Sequence, residues 1–372
     1  MKIGIVVPFS WSYWGGVVEH AENQADALRA RGHDVKIVLG NDPPGYLTRL
    51  LHPRTGRHGD LPPDVIPVGR SVVVPANGSL PNIVLSPRTV GRIREVLREE
   101  AFDVVHLHEP MTPAICTATL ALARCPIVAT SHAAGDLGWL RGGMIVWGFL
   151  LDRIDVRIAV SRIAAESAAR WDGGEFEIVP NGVVVPEHVD PENREHRIVF
   201  IGRHDARKGL PVLLRAWPEI RRRTGARLRL IGTDPLQYRL LNARLRIDDD
   251  GIDVLGIVTN EMRAAELAAA KAFVSPALGG ESFGMVLVEA FAAATPVVAS
   301  AIPGYVDVAT GDSAVLVPPG DEAALTEAVS ALLADEERRL AVARAGRALA
   351  EERYAWSDVA RRLEAIYERV TA

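Results

Sequence analysis

Met1-Lys2-Ile3-Gly4-Ile5-Val6-Val7-Pro8 opens the chain, a helical stretch from about Val17 to Arg31 follows, and Val35-Lys36-Ile37-Val38-Leu39 resumes after the turn residues Gly32-His33-Asp34. Short β-branched runs alternating with longer amphipathic segments are the syntax of βαβ units and a parallel sheet. The opening apolar run is too short for a secretory signal and reads as a first buried strand. Further strands are predicted at Val72–Val74, Val104–Leu107, Ile127–Thr130 and Arg157–Val160. A second series starts at Arg197–Ile201 and continues through Arg227–Ile231, Ile252–Leu255, Ala272–Val274, Pro296–Ala299 and Ala314–Val317. Between the two series, residues 186–196 are polar, contain two prolines and show no apolar period, which predicts an interdomain linker. The expected architecture is α/β, with two Rossmann-like doubly wound domains, 1–186 and 187–354, facing a central cleft. Ligands of such sheets bind outside the carboxyl ends of the strands.

Composition sets the outer limits. The 372 residues suffice for two cores, and 48% apolar with 24% charged residues is ordinary for a globular protein. Lys and Arg number 42 against 47 Asp and Glu, so a net charge of −5 offers no global field for nucleic acid. An anionic ligand has to be met locally. Cys116 and Cys125 are too few and too close for a disulfide framework or a zinc site and read as buried apolar residues, which fits a reducing cytoplasm. No apolar run approaches the ~20 residues of a membrane span, so membrane contact is expected to be peripheral at most.

The most informative segment for function is Gly279-Gly280-Glu281-Ser282-Phe283-Gly284-Met285-Val286-Leu287-Val288-Glu289, with Ala290 to Ala294 behind it. Its apolar run suits a buried helix or a strand; the glycine pair and the alanine-rich tail tilt it to a helix capped by Ser282. A carboxylate before a helix N-terminus and a second one two turns on make a site for a phosphorylated, polyhydroxylated ligand. On a continuous helix Glu281 and Glu289 would stand about 12 Å apart, too far to share a proton but suited to opposite ends of one extended ligand. The plain alternative is a capped helix with a solvated glutamate.

Other candidates sit where strands end. Gly202-Arg203-His204-Asp205-Ala206-Arg207-Lys208-Gly209 follows a strand, so Arg203 and Lys208 are candidates to neutralise a diphosphate, while Arg207 is expected on the surface. Gly15 and Gly16 follow strand one and open a helix, letting backbone N–H groups approach a phosphate. The G-x-G-x-x-G spacing is missing, which counts against a nicotinamide enzyme. His20 lies one turn into that helix, facing either the cleft or the surface. His106 and His108 share a strand face that would suit a metal, but no third ligand is evident, Glu109 is expected to point away, and no metal is assigned. His132 is the better candidate for contact with a reacting sugar. Asn181-Gly182 reads as a turn.

Taken together these motifs resemble glycosyltransferase family 4, retaining enzymes of GT-B fold, and most closely its actinobacterial phosphatidylinositol mannosyltransferase branch. The resemblance runs nearly end to end: Gly-Gly-Val-x-x-His at 15–20, His-Leu-His-Glu-Pro at 106–110, Ala-Thr-x-His ending at His132, Ile-Ala-Val-Ser at 158–161, Pro-Asn-Gly-Val at 180–183, Gly-Arg-x-Asp with Arg-Lys-Gly at 202–209, and Gly-Gly-Glu-Ser-Phe-Gly-x-Val-Leu-Val-Glu-Ala at 279–290. It implies that Arg203 and Lys208 bind the donor diphosphate, Glu281 the transferred sugar, Glu289 the ribose, the backbone at Phe283 and Gly284 the phosphates, and Gly16 the diphosphate from the other domain. His132 would hydrogen-bond the sugar. The implied reaction moves a hexose, mannose in this branch, from a nucleoside diphosphate sugar such as GDP-mannose to a hydroxyl of a lipid-linked or soluble acceptor, with retention and without a metal or other cofactor. The final helix, 355–372 with its stripe Trp356, Val359, Leu363, Ile366 and Tyr367, would pack back on the first domain. After Asn77-Gly78-Ser79, where that branch carries arginines and a strongly basic helix, this chain has Leu80-Pro81-Asn82-Ile83 and then a helix mixing Arg88, Arg92, Arg94 and Arg98 with Glu95, Glu99 and Glu100. Attraction to anionic lipid is therefore expected to be weak. The loop Ala133 to Trp139 also departs from the branch. Competing readings are a GT-B sugar-nucleotide epimerase, which needs no acceptor, and a non-catalytic nucleotide-sugar-binding protein.

Overall fold

In a computed structural model, residues 1–13, 15–52, 61–74, 81–86, 88–132, 144–203 and 205–372 are described. His204, Asn77 to Leu80 and the loop Ala133 to Trp139 lie outside them. The chain divides into two compact units, 1–182 with 356–372, and 183–355.

The first unit carries β1 (Lys2–Ser10), α1 (Gly16–Ala30), β2 (Asp34–Gly40), α2 (Tyr46–Leu51), β3 (Val65–Pro67), β4 (Ser71–Val73), β5 (Asn82–Val84), α3 (Thr89–Glu100), β6 (Val104–His108), α4 (Ile115–Leu122), β7 (Ile127–Ser131), α5 (Met144–Leu151), β8 (Val156–Ala159), α6 (Arg162–Asp172) and β9 (Glu177–Ile178). Its parallel sheet runs β3-β2-β1-β6-β7-β8-β9, so the strand order reverses between β1 and β6. Ile3, Ile5 and Val7 of β1 face one core and Val6 the other, as a strand covered on both sides requires.

The second unit carries β10 (Glu195–Ile201), α7 (Leu210–Thr224), β11 (Arg227–Ile231), α8 (Pro235–Leu245), β12 (Ile252–Gly256), α9 (Asn260–Ala269), β13 (Ala270–Ser275), α10 (Met285–Ala292), β14 (Val297–Ser300), α11 (Pro303–Val306), β15 (Ala314–Val317), α12 (Glu322–Ala334) and α13 (Glu336–Leu349). Its parallel sheet runs β12-β11-β10-β13-β14-β15 and reverses between β10 and β13. Trp217 of α7 and Leu325 and Val329 of α12 fill the core over Ile198, Phe200 and Leu228. The last helix, α14 (Trp356–Thr371), belongs to the first unit, where Val359, Leu363, Ile366 and Tyr367 join the core beneath Ile3, Ile5 and Leu28.

Three differences from the sequence reading have physical causes. The strand expected at 72–74 is β4 at 71–73, and it pairs antiparallel with β5 instead of joining the parallel ladder. β14 starts after Pro296, which has no N–H to give a ladder. The segment read as a linker is not a free tether: Glu195 and His196 already belong to β10, and Arg194 is buried. One Arg194 nitrogen, Nη1, donates to Thr295 Oγ1 at 2.9 Å and to the carbonyls of Leu267 and Ala270 at 3.1 Å each. The other, Nη2, donates to the carbonyls of Ala293 at 2.6 Å and Ala294 at 3.0 Å. These acceptors cluster at the carboxyl ends of α9 and α10, where the helix dipole favours a cation. Burial pushes the Arg194 pKa down to about 10, so the side chain stays charged at neutral pH.

Arg194→Met removes the donors and leaves buried carbonyls unpaired. It is expected to cost about 3 kcal/mol in urea unfolding of the second unit, and an unchanged midpoint would disprove the clamp.

Candidate active site

In the second unit the loops leaving β10 and β13, the neighbours at the reversal point, carry the candidate residues. This is where open α/β sheets bind ligands. After β10, Asp205 caps a single 3₁₀ turn at 206–208 by accepting from the Arg207 amide at 2.9 Å and holding the Arg207 guanidinium. Arg207 keeps the Asp205 carboxyl below its usual range. The turn stops at Gly209, with φ +70°; a Cβ there would stand 1.8 Å from the Pro276 carbonyl oxygen, so only glycine lets the two loops meet. Lys208 is delivered toward the second loop, and its Nζ lies 2.8 Å from Glu281 Oε1, both side chains about four-fifths buried. Arg203 is exposed just past β10. Arg207 is half-buried rather than fully solvated.

Ser282 is not the helix cap. α10 starts at Met285, and Gly284, at φ +88°, occupies the N-cap, its carbonyl accepting from the Leu287 amide at 2.9 Å. A Cβ on Gly284 would come 2.7 Å from the Tyr305 ring, so the turn is closed against α11. Glu281 therefore precedes the helix, and the spacing of a continuous helix does not apply to Glu281 and Glu289. Glu289 lies on α10 and pairs with Arg263 of α9 at 3.2 Å. Phe283 is buried edge-on against Tyr354, with ring centroids 5.7 Å apart. The amides of Met285 and Val286 come before the first hydrogen bond of the helix, the one from Leu287 to Gly284.

In the first unit the equivalent reversal point gathers imidazoles. His20 on α1, His108 at the end of β6 and His132 just past β7 bring ligating atoms within 4.8 Å of one another. The sequence shows no third ligand for the pair His106 and His108; in the structure it is His108 that groups with His20 and His132, and His106 lies beneath it outside the group. His106 stacks on His108 at 4.7 Å and 8°, and its Nε2 lies 2.7 Å from Thr130 Oγ1. His108 Nδ1 lies 2.8 Å from His132 Nε2, a hydrogen bond, and shorter than the roughly 3.4 Å separating two imidazole ligands of a tetrahedral zinc ion. Glu109 does not point away: it turns into the left-handed region at φ +53°, and its Oε1 accepts from the His132 amide at 3.0 Å. Asn181, read as a turn residue, is buried, and it pulls the His132 pKa upward. Gly15 caps α1 in an extended conformation, and a Cβ on Gly15 or Gly16 would meet nothing within 4 Å, so packing within the chain does not demand either glycine.

Burial, reinforced by neighbouring imidazoles, lowers the pKa of His106 to about 3 and puts His20 and His108 well below the usual range. Burial also lowers His132 to about 4, against an upward pull from Asn181. All four rings are neutral at pH 7.

Residues 14–187 match the profile of Glycosyltransferase Family 4 and residues 195–335 that of Glycosyl transferases group 1. The phosphatidyl-myo-inositol mannosyltransferase of Mycobacterium leprae is 36% identical over 384 residues, spanning 100% of this chain and 97% of that protein. The chain belongs to glycosyltransferase family 4. The corresponding Mycolicibacterium smegmatis protein is 34% identical, over 100% of this chain and 94% of its own length. Sucrose-phosphate synthase of Thermosynechococcus elongatus superposes on this glycosyltransferase with a TM-score of 0.75 over 99% of each chain at 21% identity, and the fold is GT-B.

The neutral imidazoles make this glycosyltransferase acid-sensitive. In the unfolded chain histidine titrates near 6.5; below that pH the unfolded state binds protons that the folded state refuses, so stability is full above about 6.5 and falls toward pH 4. His132→Asn should make urea stability over that window shallower by up to about 1.4 kcal/mol per pH unit; parallel curves would refute the assignment.

Proposed function

We propose that this glycosyltransferase moves a hexose, mannose as in the named activity of its relatives, from GDP-mannose to a hydroxyl of a lipid-linked or soluble polyol acceptor, with retention. The observation that carries this reading is the 2.8 Å contact of Lys208 with Glu281 beside the N-terminus of α10. A cation, a carboxylate and the amides of a helix N-terminus, close together in the chain, are what a sugar diphosphate needs. Lys208 and Arg203 meet the diphosphate, and the amides following Gly284 supplement them. Glu281 accepts from sugar hydroxyls and Glu289 from the ribose. The open space at Gly15 and Gly16 suits an anion close to the first amides of α1. His132 donates to a sugar hydroxyl.

The chemistry asks for charge stabilisation at the leaving diphosphate, and that phosphate takes the acceptor's proton as the new glycosidic bond forms on the same face. No protein base is needed. The acceptor side is less charged than in an anionic-lipid enzyme: on α3, Arg92 is paired with Glu95 at 3.0 Å and lies 3.8 Å from Glu99. No helix among the described residues is long and apolar enough to cross a membrane. These features favour at most weak peripheral contact with a bilayer.

Lys208→Ala is expected to lower kcat/KM by about 10²–10³ while the protein stays folded; turnover within twofold of the native enzyme would remove the assignment. Glu289→Gln should raise the donor KM about tenfold with kcat largely kept, because it weakens a charged hydrogen bond formed equally in ground and transition states. If kcat falls instead, Glu289 acts on the reaction itself. Among nucleoside diphosphate sugars, GDP-mannose should give the largest rise in Tm, about 2.7 kcal/mol of stabilisation at a hundred times its Kd; a larger response to another donor would replace it.

A further inference from the structure

The first unit contains a continuous column of polar rings that ends on His132. At its base, the Tyr367 hydroxyl on α14 lies 2.5 Å from His106 Nδ1. The Gln24 amide reaches both of them, at 3.0 Å to the ring nitrogen and 3.1 Å to the hydroxyl. Both partners of His106 Nδ1 have protons to give, so that nitrogen accepts, and the ring proton sits on Nε2 and goes to Thr130 Oγ1. The His108 ring lies flat on this fixed ring and is fully buried.

His108 has two nitrogens in unequal settings. Nδ1 faces His132 Nε2 at 2.8 Å, whereas Nε2 is buried with no hydrogen-bond partner among the described residues. Between two such nitrogens one carries the proton. If it were Nε2, a buried N–H would be orphaned and His132 would have to be the donor. With the proton on Nδ1 the idle position is only a lone pair. Orphaned buried N–H groups are the rarer and more costly defect.

We infer that His108 is a positioning residue: it donates from Nδ1 to His132 Nε2 and so keeps the proton of His132 on Nδ1. The inference rests on the reading of His132 as the residue that meets the sugar, and it specifies how it does so. The His132 nitrogen not consumed by His108 is an N–H. It can donate that proton to a sugar hydroxyl and has no lone pair with which to act as a base. Glu109 holds the same residue by its backbone amide, so the ring is fixed in place by one neighbour and in tautomer by the other. α14 enters the arrangement through Tyr367, which sets His106 beneath His108.

Long-range proton–nitrogen correlation spectra of the full-length, histidine-labelled protein at pH 7.5 distinguish N–H from bare nitrogen, and His132→Asn identifies the signal. His132 is expected with Nδ1 protonated and Nε2 bare. His108→Phe should release it to a mixture of tautomers and lower kcat on the order of tenfold to a hundredfold. His108→Asn places an amide N–H near the former Nδ1 and should restore both the tautomer and most of the turnover. A native His132 protonated on Nε2, or an unaltered His132 spectrum and turnover in His108→Phe, would overturn the inference. The spectrum does not depend on activity. Full turnover in His132→Asn would instead refute the sugar-contact reading while leaving the tautomer assignment to stand.

Discussion

The placement of α10 is the constraint on which the candidate site of the second unit depends. An isolated helix of this length has little stability in water, so its position comes from what holds its two ends. At the carboxyl end the Arg194 guanidinium ties the Ala293 and Ala294 carbonyls to those closing α9. At the amino end Gly284 turns back against Tyr305, whose hydroxyl is held by Ser275 at 2.8 Å. With both ends fixed, the first amides of the helix, Glu281 before it and Glu289 along it have defined places. The hydrogen bonds of Arg194 go to carbonyls and a hydroxyl, and Asp190 adds a favourable charge nearby.

The two units use the same topological opening for opposite electrostatic purposes. Each sheet reverses its strand order between its first strand and the neighbour on the other side, and in each the loops beyond that point hold the candidate residues. In the second unit these are ions: Lys208 with Glu281, Arg263 with Glu289, and exposed Arg203. In the first unit they are neutral rings and bare glycines. Burial accounts for the contrast. The imidazoles stand over the core closed by α14, where a charge would be desolvated and would repel its neighbours. An array that refuses protons at pH 7 can meet a polar group through dipoles but not through charge.

Most of the α/β alternation was legible because parallel strands covered on both faces read as unbroken β-branched runs. Ions next to glycine turns at strand ends were legible for a related reason: such residues have little cause to interrupt an apolar period. What escaped depended on contacts distant in sequence. Arg194 looked like part of a polar tether because its acceptors lie some 70 to 100 residues further on. His20, His108 and His132 belong to three separate elements, and periodicity within β6 singled out the pair His106 and His108 instead. Ser282 has the chemistry of an N-cap, but the close approach of Tyr305 puts the left-handed Gly284 there, a choice made by tertiary packing over local propensity. β4 and β5 are three residues each, too short to declare a pairing direction.

Apart from exposed Arg203, the ionisable groups proposed to hold the donor already have internal partners. Lys208 and Glu281 neutralise each other, as do Arg263 and Glu289, with side chains between about one-sixth and one-quarter exposed. Folding has therefore already met most of the cost of removing these groups from water. A sugar diphosphate would exchange one set of charged contacts for another: phosphate oxygens replace the Glu281 carboxylate at Lys208, and sugar hydroxyls replace the lysine at Glu281. Such an exchange requires little new desolvation and little reorganisation, the condition under which fixed charges stabilise a leaving group most effectively. Because the leaving diphosphate would gain charge as the sugar–phosphate bond breaks, the exchange would become more favourable along the reaction, and on the proposed reading Lys208 would favour the transition state over the bound ground state.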